Sequence, residues 1–100
     1  MKQYKFLLPL FVLMNTYVVA QNKIAVTIDD LPLQRISSYN KEQYESVTKK
    51  LLTNLTSQKV PVIGFVNEGK LFTSDQPDES KIALLKQWLD AGFELGNHSF

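Results

Sequence analysis

Residues 23–32 read KIAVTIDDLP. Ile24, Val26 and Ile28 alternate with Ala25 and Thr27, so the run is β-rich and almost wholly apolar until it meets two carboxylates. Such a run suits a parallel strand buried on both faces. Asp29 and Asp30 at its end pose a problem, because adjacent like charges repel and burying either one unpaired is costly. Two solutions are open. The pair forms a polar turn closed by Pro32, or a cation sits beside it.

The residues that follow repeat a strand–helix alternation. Leu31 to Tyr39 carries a proline and two serines and reads as a loop. Asn40 is placed to cap a helix with Tyr44, Val47, Leu51 and Leu55 at helical spacing and Leu52 beside them. Lys41, Glu42, Glu45, Lys49 and Lys50 take its other face. Residues 60–66, VPVIGFV, form a second apolar strand with Pro61 at its start, where a missing amide donor is tolerable. A polar loop containing Gly69 runs from Asn67 to Asp75. Pro77 suits the first turn of a second helix, with Asp78 and Glu79 near its positive end. Ile82, Leu85 and Leu89 make the expected inward stripe, flanked by Leu84 and Trp88, and Gly92 is the natural stop. Phe93 to Leu95 begins a third strand that runs into GNHSF, residues 96–100.

The order is therefore βαβαβ, an α/β chain with parallel strands and right-handed crossovers. The C-terminal ends of such strands converge on one edge, where ligands bind. Asp29 and Asp30 end the first strand, Asn67 and Glu68 the second, and His98 the third. An acidic pair and the chain's single histidine thus share one edge, which fits a metal set of Asp and His.

The start of the chain has a different character. Lys2 and Lys5 precede an apolar stretch from Phe6 to Met14, and Val18-Val19-Ala20 offers small residues for cleavage before Gln21. Residues 1–20 read as a signal peptide, which implies a secreted or periplasmic location. The apolar stretch is shorter than the roughly 20 residues that a membrane span needs, so no stable span is expected once it is removed. The whole chain carries 11 basic and 10 acidic side chains, and loss of Lys2 and Lys5 turns its net charge from +1 to −1. That balance gives no basic patch for nucleic acid. Cysteine is absent, so a bound metal must be held by His, Asp or Glu, and a lipoprotein anchor is excluded.

VTIDDLP, residues 26–32, followed by GFELGNHSF, residues 92–100, resembles the polysaccharide deacetylase family of carbohydrate esterases. The family opens with a Thr-Phe-Asp-Asp-Gly type strand end, and its second motif is a glycine-rich approach to His-Ser/Thr-x-x-His. The resemblance implies that residues 21–100 are the N-terminal part of a deacetylase domain, truncated within a distorted (β/α) barrel. It implies Asp29 as the general base, Asp30 and His98 as metal ligands, and Ser99 as a supporting residue. A further ligand and the general acid would lie beyond Phe100, so the chain by itself is expected to be inactive. Leu31 stands where the family carries glycine, and Ile28 where it often carries an aromatic.

The implied function is hydrolysis of N-acetyl or O-acetyl groups of a polysaccharide or oligosaccharide. It would be a hydrolase acting on carbon–nitrogen bonds other than peptide bonds, with a water activated by a divalent metal as nucleophile. Asp plus His suits zinc, and also cobalt, nickel or iron. Two alternatives stand beside it. One is a non-catalytic carbohydrate-binding pseudoenzyme of the same fold. The other is a receiver-like domain using an acidic pair for Mg²⁺, against which the export signal and the position of His98 both count.

Overall fold

The computed structural model describes residues 22–100. Residues 1–20, read above as a signal peptide, lie outside the described residues. The chain is α/β. Three strands, β1 (Val26–Leu31), β2 (Val62–Asn67) and β5 (Glu94–Ser99), alternate with helices α1 (Lys41–Ser57) and α2 (Glu79–Asp90). A short hairpin, β3 (Phe72–Thr73) and β4 (Gln76–Pro77), precedes α2. All pairings in the main sheet are parallel and its spatial order is β1–β2–β5. Each crossover therefore steps in the same direction, and right-handedness places both helices on one face. That sequential order is compatible with an arc of a (β/α) barrel.

The core lies between the sheet and this helical layer. Leu31, Leu52, Val62 and Trp88 are buried at its centre, with Val26, Ile28, Leu55, Val66, Leu85 and Leu95 packed around them. A second cluster of Ile36, Tyr44 and Leu84 closes the end nearest the helix N-termini. The expectation that β1 is buried on both faces is corrected. Its residues alternate between half-buried and exposed, and Ile63 on β2 is 39% exposed. The reason is topological, since the described residues put helices on one side of the sheet only.

Helix α1 begins where the sequence places it. Asn40 Oδ1 accepts from Gln43 N and Gln43 Oε1 accepts from Asn40 N, both at 2.9 Å. This reciprocal box satisfies two backbone donors that the first turn leaves unpaired. The buried stripe is Tyr44, Thr48 and Leu52, with Leu51 and Leu55 beside it, while Val47 is exposed. The expected stripe was thus rotated too far toward Val47. Thr48 reads as polar by its hydroxyl, yet its position places it between Tyr44 and Leu52 on the wheel.

Helix α2 shows a similar rotation. Leu84 and Trp88 are fully buried and Leu89 is 55% exposed. Trp88 offers the largest apolar area, so the helix settles with that ring in the core. Pro77 does not open the helix. It pairs with Phe72 across the hairpin, and Asp78 is the N-cap. The hairpin turn is Ser74-Asp75, both at positive φ (51° and 60°), as a two-residue turn of the mirror-image type requires. Gly92 follows the helix with φ of 90°, as expected of a C-terminal stop.

Asp78 ties the hairpin and both helices together. Its Oδ1 accepts from Ser80 N at 3.0 Å and from Ser80 Oγ at 2.5 Å, and its Oδ2 accepts from Thr73 Oγ1 at 2.7 Å. Ser80 Oγ gives its one hydrogen to Asp78, so Tyr44 OH donates to Ser80 Oγ, at 2.5 Å. The hydroxyls of Ser80 and then Thr73 hold the Asp78 carboxyl well below its ordinary value, at about 2. A depressed carboxylate stabilises the fold above its unfolded value, and that contribution disappears as pH falls through the folded one. The expected result is a wild-type melting temperature that declines between pH 4 and pH 2 more steeply than that of Asp78→Asn. Parallel pH profiles for the two proteins, measured by thermal melts, would contradict it.

Candidate active site

Both register irregularities of the main sheet fall on the residues singled out by the sequence. Ile28 pairs with Gly64 and Leu31 with Val66, so β1 fits three steps against two of β2, with the excess at Asp29-Asp30. On the other side Val66 pairs with Asn97 and Asn67 with Ser99, so His98 is the extra residue in β5. Bulges of this kind re-aim side chains and commonly flank active sites. Asp30 supplies the conformation the first one needs, with φ of 62°. Aspartate visits that left-handed region more readily than most residues other than glycine.

The bulges bring two distant strands together. β1 and β5 flank β2, so their axes lie roughly 10 Å apart. Even so, Asp29 Oδ2 approaches His98 Nε2 to 3.9 Å. His98 Nδ1 lies 2.9 Å from Ser99 Oγ. When Nδ1 carries the hydrogen and Ser99 accepts it, Nε2 presents its lone pair toward the carboxylate. A hydrogen bond at one ring nitrogen fixes the tautomer at the other, which is how ligating histidines are held. Asp29 and His98 are both well exposed on the face away from the helices.

Asp30 stands next to Asp29 but, among the described residues, makes no ion pair with His98 within 4.0 Å. The structure therefore brings Asp29, His98 and Ser99 into one contact chain and leaves Asp30 beside it in the bulge. Leu31 points the other way. It is 2% exposed, and a Cβ on Gly64 would collide with its Cδ1, so the side chain fills the core beneath the sheet. Leu31 therefore keeps its own side chain off the edge beside the carboxylates.

Asp29 and His98 set an oxygen and a nitrogen donor of the types that bind divalent cations side by side. Two donors on one tetrahedral zinc lie about 3.4 Å apart. The 3.9 Å between Asp29 Oδ2 and His98 Nε2 exceeds that by only about half an ångström. Among the described residues no group of three His, Cys, Asp or Glu side chains converges as a complete ligand set. None of the described helices is long and apolar enough to cross a membrane.

Comparison with known proteins adds one finding. A family model described as polysaccharide deacetylase matches residues 17–100. No curated protein and no solved structure matches the chain.

Proposed function

The chain belongs to the polysaccharide deacetylase family, and from that premise we propose that it carries the water-activating part of an exported, metal-dependent carbohydrate deacetylase. Residues 21–100 supply the N-terminal part of that domain. The observation that carries the reading is the approach of Asp29 to a histidine whose other ring nitrogen is held by Ser99.

Asp30 and His98 would hold the cation, through a carboxylate oxygen and Nε2. A divalent ion bound there supplies Lewis acidity and lowers the pKa of water toward about 7. With Nδ1–H donating to Ser99 Oγ, His98 takes the tautomer that leaves Nε2 free. Asp29, adjacent to both ligands, takes the proton from the attacking water as its oxygen adds to the acetyl carbonyl. The two neighbouring carboxylates then have different tasks. One loses its charge to the cation, and the other stays free as the base.

The test is acetate release from N-acetylglucosamine oligomers and from O-acetylated xylan by the native gene product. Stripping the protein with a chelator is expected to stop release, and zinc to restore it. Oligosaccharide binding without acetate release by the metal-loaded protein would favour a non-catalytic carbohydrate binder and overturn the proposal.

A further inference from the structure

We infer that Asn67 is a substrate-binding residue of this site, donating a hydrogen bond from its carboxamide to the acetyl carbonyl oxygen of the carbohydrate. The inference rests on the deacetylase reading above. It starts from the position of β2, the strand that Asp29 and His98 reach across. The β1 bulge lies between the pairings of Gly64 and Val66, and the β5 bulge lies between those of Val66 and Asn67. The carboxylate–imidazole pair therefore closes over the C-terminal half of β2.

Alternation along β2 decides which of its side chains share that face. Val62 and Val66 pack into the helical core. Phe65 lies on the opposite face, where its ring covers Gly96 so closely that a Cβ there would stand 2.7 Å from Phe65 Cε1. Asn67 follows two residues later on the same face as Phe65, since its backbone remains extended (φ −94°, ψ 105°). Across the sheet it is in register with Ser99, the neighbour and partner of His98.

The carboxamide is oriented in advance. Gly69 N donates to Asn67 Oδ1 at 3.1 Å. Only the oxygen of the amide can accept from a backbone N–H, which fixes Nδ2 as the end left for a ligand. Asn67 is half-buried, so its rotamer freedom is already reduced. The chemistry is complementary to what surrounds it. Carboxylate oxygens such as those of Asp29 and Asp30 accept hydrogen bonds and do not donate to a carbonyl oxygen, whereas an amide N–H does. Such a donor matters more as negative charge develops on that oxygen.

Asn67→Asp and Asn67→Ser both retain an oxygen for Gly69 N and both lose the NH₂ group. In the native gene product each is expected to keep its melting temperature and zinc content. Each is expected to lose roughly 10²-fold in kcat/KM on N-acetylglucosamine oligomers, the scale of one lost oxyanion donor. A second arm uses calorimetric binding of the oligomer to the Asp29→Asn protein, where adding Asn67→Ser is expected to weaken affinity about fivefold, one neutral hydrogen bond. Values within twofold of the parent in both arms would show that Asn67 serves only the turn at Gly69. A parent that binds oligomer without releasing acetate overturns the deacetylase reading, and the binding arm still decides Asn67. A parent that binds no oligomer overturns both.

Discussion

Asn in place of Asp29 is expected to leave zinc bound and to remove turnover by about 10²- to 10⁴-fold, the range that a positioned general base supplies. The substitution preserves the shape of the side chain and deletes the proposed proton acceptor. Asp30→Asn is expected to differ in kind. It conserves the left-handed backbone at φ 62°, because asparagine tolerates that region as aspartate does. It would remove a charged donor from the proposed ligand pair, so metal affinity should fall by more than tenfold and activity with it. Metal content by elemental analysis, read beside acetate release, separates the two. The pairing also tests the geometry. Asp29 is the carboxylate that faces His98 Nε2 at 3.9 Å, so a rival assignment exists in which Asp29 is the ligand. Equal loss of metal from both variants, or greater loss from Asp29→Asn, would reverse the assigned roles.

Much of the frame that holds this site is legible in the sequence. The two apolar runs, the Asn40 cap and Gly92 locate three strands and two helices, because backbone satisfaction and burial leave those segments few alternatives. The rotation of each helix was less legible. Period alone marks a wide apolar arc, and which side of it turns inward depends on the bulk of Trp88 and the fit of Thr48, properties of the assembled layer. The hairpin at Phe72–Pro77 was hidden because its turn is Ser74-Asp75, without the Asn-Gly or Asp-Gly pair that announces such turns. In the site, the residue types pointed to one edge, but the bulges that bring them together leave no periodic trace. A single extra residue in each strand reverses the alternation that sequence patterns rely on. The local hint available was Asp30, a residue type able to adopt positive φ.

The largest expected effect on stability belongs to Trp88, which no solvent reaches. It packs edge-on against Phe93, with ring centroids 5.6 Å apart and planes at 64°, and joins Leu31, Leu52 and Val62 in the core. Truncation to alanine removes that contact area and leaves a cavity that the flanking strands cannot close, at a cost of about 3–5 kcal/mol. Such a loss approaches the whole stability of a small domain. Trp88→Ala is therefore expected to lack a cooperative thermal transition. Phenylalanine at the same position should behave otherwise. Among the described residues Trp88 Nε1 is buried with no hydrogen-bond partner, and an unpaired buried donor costs about 1–3 kcal/mol. Trp88→Phe loses part of the ring's packing but also removes that donor, so the two terms oppose each other and the net change should stay within about 1.5 kcal/mol. The consequence reaches the site through Phe93, which leads directly into β5 and so into the strand that presents His98. Urea unfolding of the two variants decides the matter. A Trp88→Phe protein as unstable as Trp88→Ala would mean that Nε1 has a partner in solution, and that the indole is held by that bond rather than by its bulk.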